Sequence, residues 1–354
     1  MGRTPARGRG FPERVGEIGN RGRGICVLTP TRAPLTRAES GVHVLMGAIE
    51  PPGLRRDICI IQNRKSGRGR AGETTRALRD ALAGQGADVA LRSPRRGRDI
   101  LNTATQAVRE GFGTIIAVGG DGTQSAVAQA VAGSDAVMGV VPTGTFNYFA
   151  RSIGVGCDID RAIATIRAGH SRAVAVGDLN GRTFLNNVSL GTYPQILQER
   201  EAIYKRWGRS RIAAYWSVLR VLAGRRRPFD MQVSADGVRR EFRAPLAFVG
   251  LNAYQLRSFA LEGAQAAADD RLALFVSRAD GAADMVAAAL RLARQTAERG
   301  RDFDLLCADA LTIDTGPRAR LVAFDGEKTR MTGPFHLRVR PDALRVFVPA
   351  RGAA

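Results

Sequence analysis

The chain has 354 residues, a formal net charge of +20, 44% apolar residues and 41 glycines. That length accommodates two domains with cores of their own, and the apolar share is ordinary for a folded globular protein. No uncharged apolar run reaches the roughly 18 residues of a membrane-spanning helix, and residues 1–54 contain no signal-peptide apolar core, so the expectation is a cytoplasmic protein.

Residues 1–54 are rich in Gly, Arg and Pro and show no sustained periodicity, which predicts a disordered extension. Because Met46 stands just before the first clear strand, translation is expected to begin there; a basic arm that binds RNA or membrane is the alternative. From Arg56 onward, apolar runs alternate with amphipathic segments: strand 58–62, helix 71–83, strand 87–92, helix 99–110, strand 114–118, helix 123–132, strand 138–141. This βαβ rhythm implies parallel strands with right-handed crossovers. No Gly-x-Gly-x-x-Gly follows the first strand, so the reading is a Rossmann-like sheet of the phosphofructokinase sort rather than a dinucleotide fold.

After Ala173 the rhythm changes. Short strands at 173–179, 182–189, 229–235, 239–250, 271–277, 310–314, 320–324 and 335–340 suggest an antiparallel sandwich, interrupted by helices at 196–223 and 282–299. The fold class is therefore α/β, with an N-terminal Rossmann-like domain and a C-terminal antiparallel β-sandwich domain. Within 198–227, Ile212, Tyr215, Trp216, Leu219 and Leu222 recur at helical spacing among arginines, and Trp207 lies nearby. That composition suits a helix at a membrane interface and equally a helix packed on the sandwich.

Two strand ends carry the chemistry. Thr114-Ile-Ile-Ala-Val-Gly-Gly-Asp-Gly-Thr123 is an apolar strand running into a glycine turn, where backbone amides at a helix start bind an anion such as phosphate. Gly119, Gly120 and Gly122 have no Cβ, so the backbone there can take left-handed conformations and approach an anion closely. A bare carboxylate would repel phosphate, so Asp121 must serve a cation or a proton. The second strand breaks at Pro142-Thr-Gly-Thr-Phe-Asn-Tyr-Phe-Ala-Arg151, and both turns fall at the carboxyl ends of parallel strands, where α/β sheets bind ligands.

These residues resemble the catalytic domain of the diacylglycerol kinase family, which also holds sphingosine and ceramide kinases and bacterial lipid kinases. Ile58 to Gly69 is similar to that family's opening strand and Asn-Pro-x-Ser-Gly loop, with Arg64 in place of the proline, and Phe324-Asp-Gly-Glu327 is similar to its Asp-Gly-Glu motif. Read alone, Asp325-Gly326 is only a hairpin turn signal; order along the chain gives it weight. The resemblance implies an ATP-dependent lipid kinase that passes the γ-phosphoryl group to a lipid hydroxyl, in phospholipid metabolism. It implies that Asn63, Ser66, Gly67, Gly119, Gly120, Asp121, Gly122, Thr123, Gly144, Thr145 and Asn147 hold the nucleotide. Glu327 would act as the base, Asp325 would orient it, and Asp121 would organise Mg²⁺. Ala267 to Leu272 is similar to a family segment whose second aspartate, here Asp270, serves a second Mg²⁺. It also implies that 343–348 returns to the first domain, giving an extension at 1–54, a nucleotide domain at 55–155 plus about 342–350, and a lipid-substrate domain at 156–341.

The chain departs from the pattern at Ser125 and Ala126, where an Asn and a Glu are usual, at Tyr148 in place of an Asp, and at Arg271 in place of a glycine. Two other readings stay open: an NAD kinase, which shares the first glycine turn, and an inactive nucleotide- or lipid-binding homologue. The basic charge fits an anionic membrane surface contacted peripherally, or the bias of an arginine-rich genome, and no nucleic-acid motif accompanies it. The expected partners are a lipid substrate and that surface, with a homodimer as the candidate assembly. Asn186 and Asn187 lie in a segment similar to one near the family's lipid entrance, and strand-end capping explains them equally. Cys26, Cys59, Cys157 and Cys307 lack metal-ligand spacing and read as reduced thiols; His43, His170 and His336 read as structural or solvated.

Overall fold

A computed structural model describes residues 57–64, 66, 71–84, 86–191 and 228–350, all within one compact unit, His43–Ala354. The expectations for 1–54, for the helix at 196–223 with Trp207 and Trp216, and for Gly67 lie outside the described residues.

The first half alternates as the apolar runs require: β1 (Asp57–Gln62), α1 (Ala71–Ala83), β2 (Asp88–Arg92), α2 (Ile100–Arg109), β3 (Thr114–Gly119), α3 (Asp121–Val131) and β4 (Val137–Pro142). Strands β3 and β4 are buried along their whole length and β1 at all but Asp57, because helices cover both faces of a parallel sheet. β1 pairs in parallel with β2 and β3, and β3 with β4, Gly119 opposite Pro142. Two helices follow that the sequence reading left out: α4 (Tyr148–Ser152) and α5 (Ile159–Ala168). The latter starts at Asp158, whose side chain accepts from Arg161 N at 2.7 Å, and stops at Gly169 with φ 71°.

The second half is antiparallel, and the chain crosses between two sheets. The runs expected at 182–189 and 239–250 are each two strands: β6 (Arg182–Phe184) and β7 (Asn187–Gly191), then β9 (Val238–Ala244) and β10 (Leu246–Gly250). Pro245 has no N–H to give a ladder, so the ribbon breaks there and changes sheet. The remaining strands are β5 (Ser171–Leu179), β8 (Phe229–Ala235), β11 (Leu272–Ser277), β12 (Phe303–Ala308), β13 (Ala310–Asp314), β14 (Arg320–Phe324), β15 (Glu327–Met331) and β16 (Phe335–Phe347). Helices α6 (Ala253–Ser258), α7 (Ala264–Ala268) and α8 (Ala282–Ala293) complete the described chain; α8 ends short of the expected 299.

One sheet has the order β2-β1-β3-β4-β16-β13-β8-β9, with β5 also paired to β16 and β6 to β5; the other reads β12-β11-β10-β7-β14-β15. β16 joins the halves. Val346 pairs in parallel with Met138 of β4, residues 335–338 pair antiparallel with β13, and β5 follows both ends across an irregularity between Arg340 and Leu344. The antiparallel part of the first sheet packs on the second through Phe184, Met231, Ile313 and Leu337 against Val188, Val249, Leu274 and Val322. The mixed α/β architecture with an antiparallel sandwich is thus the one expected. Cys59, Cys157 and Cys307 are free thiols. No described helix is long and apolar enough to cross a membrane.

Candidate active site

β3 and β4 deliver the two glycine turns side by side. A Cβ on Gly144 would stand 2.5 Å from Gly120 Cα and 2.7 Å from Asn147 Oδ1, and one on Gly119 would collide with the Thr123 side chain. Glycine is needed here for close approach. The left-handed conformations open to Gly119, Gly120 and Gly122 are not used: Gly120 has φ −87°, and none of the three has positive φ. The left-handed residue is Asn147, φ 53°, whose side chain closes the second turn by accepting from Gly144 N at 3.0 Å and donating to Gly144 O at 3.1 Å.

Asp121, at the first turn of α3, accepts from Asn147 N at 2.8 Å and from Phe149 N at 3.5 Å. One carboxylate thereby fixes the start of α4 against the start of α3. Burial pushes its pKa up, and the backbone donors pull it back. Asn63, just past the end of β1, donates to Thr123 Oγ1 at 3.1 Å, Thr143 Oγ1 donates to Ser66 Oγ at 2.9 Å, and Ser66 Oγ donates to the Thr143 carbonyl at 3.3 Å. Asn63, Ser66, Gly119, Gly120, Asp121, Gly122, Thr123, Gly144 and Asn147 therefore share one end of the sheet, with Thr145 exposed at the tip of the second turn. Thr123 N and Gln124 N both bond Gly120 O, at 2.9 and 3.0 Å, so the Gly122 N–H ahead of them is the donor that the start of α3 offers to an anion.

Asp325 and Gly326 link β14 to β15 with φ 47° and 89°, a hairpin turn that also builds the site. Glu327 Oε1 lies 4.0 Å from the place a Cβ on Gly122 would take, so the distant acid reaches the first turn of α3. Asp325 is buried, and its oxygens accept from Leu185 N at 2.6 Å, Asn186 N at 2.7 Å and Asn187 N at 3.1 Å; the Ser125 side chain bonds it as well. The departure at Ser125 thus retains a polar partner for Asp325. Replacing Asp325 with Asn would leave backbone donors unpaired, since an amide accepts through one oxygen only. The expected cost is about 2–4 kcal/mol of stability, read from urea denaturation. A loss below about 0.5 kcal/mol would refute this role.

Glu327 is exposed as a residue, but protein crowded around its carboxyl pushes the pKa up; the charge of Asp325 adds to this and Arg182 opposes it. Arg182 was not singled out from the sequence, where nothing ties it to the distant motif. Asp270 has φ 54° and a pKa raised by burial and by Asp342, with Arg172 counteracting. Arg271, which stands where the family has glycine, bonds Asp309 at 2.8 Å and Asp236 at 3.1 Å instead. Among the described residues, no three His, Cys, Asp or Glu side chains gather as metal ligands, and the Asp121 oxygens face backbone amides. The Asp121 carboxyl, taken up by these amides, therefore does not fit a resident cation.

Residues 57–179 match the family model of the diacylglycerol kinase catalytic domain. Diacylglycerol kinases of Staphylococcus aureus strains JH9 and Newman are each 32% identical over 152 residues, 42% of this chain and 47% of theirs. The match thus spans about half the length of these curated relatives. A crystal structure of a diacylglycerol kinase from Bacillus anthracis str. Sterne superposes with a TM-score of 0.64 at 22% identity, covering 83% of this chain and 97% of that one, which shows the shared fold. Residues 57–179, which carry both glycine turns on β3 and β4, are thus the part of the chain that is similar to the diacylglycerol kinase catalytic domain.

Proposed function

We propose that the protein transfers the γ-phosphoryl group of ATP to the hydroxyl of a lipid such as diacylglycerol. The observation that carries this reading is the approach of Glu327 to Gly122, beside the Gly120–Gly144 junction. A base and a phosphate-binding helix start then flank one reacting centre. The Gly122 N–H at the start of α3 and the polar side chains of Asn63, Ser66 and Thr123 would hold the phosphates. Glu327 would take the proton of the attacking hydroxyl as the new O–P bond forms and ADP leaves. Asp121 and Asp325 would act by holding those groups in place. Mg²⁺ would enter with the triphosphate, neutralising charge on its oxygens.

Residues 55–155 with about 342–350 would form the nucleotide domain and 156–341 the acceptor side. The net charge of +20 would favour peripheral contact with an anionic bilayer. Neither Ala126 nor Tyr148 supplies the acid usual at its position; Tyr148 instead stacks on Phe146, ring centroids 5.5 Å apart.

The direct test is incubation with γ-labelled ATP and a total lipid extract, the product being identified by mass spectrometry. Label in a phospholipid is the expected outcome. ATP binding without any labelled lipid would replace the kinase with a binding protein, and label on NAD would move the chain to the other kinase class. The pH profile gives a second check. A base works only when ionised, so kcat falls as pH drops through the raised pKa of Glu327. Arg182→Ala removes a charge that favours the ionised form and should move the acid limb upward by about 0.5–1 pH unit. An unmoved limb would detach Arg182 from the base.

A further inference from the structure

Helix α6 touches the base-bearing side of the site and the phosphate-turn side by separate bonds, and nothing in the family motifs assigns it a task. On one side, Asn252 caps the helix by accepting from Gln255 N at 3.0 Å while its Nδ2 donates to Asn186 Oδ1 at 2.7 Å. Gln255 Oε1 accepts from Asn187 Nδ2 at 3.0 Å. Asn186 and Asn187 are the residues whose backbone amides bind Asp325, two residues before Glu327. Asn186, Asn187, Asn252 and Gln255 are all buried. Away from water such bonds are costly to break, so the chain from Asp325 to α6 behaves as one rigid piece.

On the other side, the Tyr254 hydroxyl accepts from Arg151 Nη1 at 3.0 Å, and the guanidinium carbon lies 5.7 Å from the tyrosine ring centroid. Arg151 Nε also donates to Phe146 O at 3.2 Å, inside the second phosphate turn. The circuit closes through Asp121, which binds the amides of Asn147 and Phe149, and through Ser125 of α3, which bonds Asp325.

We propose that Tyr254 is a positioning residue: through Arg151 it sets the distance between the Gly144 turn and Glu327, so that the phosphate to be transferred and the base stay in register. This rests on the kinase reading for its catalytic consequence, but the coupling itself is a property of the fold.

Tyr254→Phe keeps the ring and removes the hydroxyl, so it tests the bond alone. Amide hydrogen exchange, followed by mass spectrometry on the full chain, should show residues 147–151 exchanging about tenfold faster in this variant. Unchanged exchange there overturns the proposal. With lipid extract and ATP, kcat should fall about tenfold while KM for lipid stays within twofold, because misplacement of reacting groups costs rate rather than acceptor binding. Arg151→Lys combined with Tyr254→Phe should be no slower than Arg151→Lys alone; additive losses would show that Tyr254 acts elsewhere and would also overturn it. If the wild-type chain phosphorylates no lipid, the proposed function fails, and the exchange measurement still decides the coupling.

Discussion

Glu327→Gln is expected to lower kcat for lipid phosphorylation about 10³-fold while the affinity for ATP changes less than twofold. A glutamine has nearly the same shape and keeps its place beside Gly122, but it cannot accept a proton at neutral pH, so only the step that needs a base is lost. Isothermal titration with ATP reports the binding half, and initial rates on a lipid extract report the chemical half. A variant that retains a tenth or more of the wild-type rate would remove Glu327 from proton transfer. The raised pKa of this carboxyl sharpens the test: the protein crowded around it and the neighbouring Asp325 make it a stronger base than a solvated glutamate, which is what a hydroxyl acceptor demands.

Gly144→Ala should be nearly as damaging, for a different reason. The added methyl would sit 2.5 Å from Gly120 Cα and 2.7 Å from Asn147 Oδ1. The Gly120 backbone is fixed by strand β3 and by the start of α3, so the two turns must part. The expected result is a loss of about 2–3 kcal/mol in stability and a weakening of ATP binding by tenfold or more. Gly97→Ala is the control, since a Cβ there meets nothing within 4 Å; its stability should stay within about 0.5 kcal/mol of wild type. If Gly144→Ala behaved like the control in thermal melts and in ATP titration, the junction of the turns would not be the phosphate site.

The two halves of the fold were legible to different degrees. Ile58 to Gln62, Thr114 to Gly119 and Val137 to Pro142 are buried on both faces, so they read as continuous apolar runs that only a parallel sheet under helices explains. β15, by contrast, is Glu-Lys-Thr-Arg-Met at a sheet edge with no buried residue, and its composition carries no strand signal. β12 was missed as well, its burial being irregular along Phe303–Ala308. The long run through 239–250 looked like one strand because alternation does not reveal that Pro245 moves the chain to another sheet.

At the site, the glycine turns were identifiable from their residues, but the reason for the glycines was not. Positive φ is a property of a single residue, whereas the contact of Gly120 with Gly144 joins strands 24 positions apart. Asp121 illustrates the same limit. Its type and position announced a functional carboxylate, yet its partners are amides of Asn147 and Phe149, a choice made by the packing of α4 on α3.

What the amino-acid order determined by itself is local: which runs are buried, where helices start, and which turns offer bare amides to a phosphate. Those follow from side-chain size, polarity and spacing along one segment. Tertiary structure alone decided that the hairpin at Asp325–Glu327 bends onto α3 and that α6 ties Asp325 to Arg151. The bonds responsible run between segments up to 140 residues apart, and no spacing along the chain specifies an angle between two packed sheets.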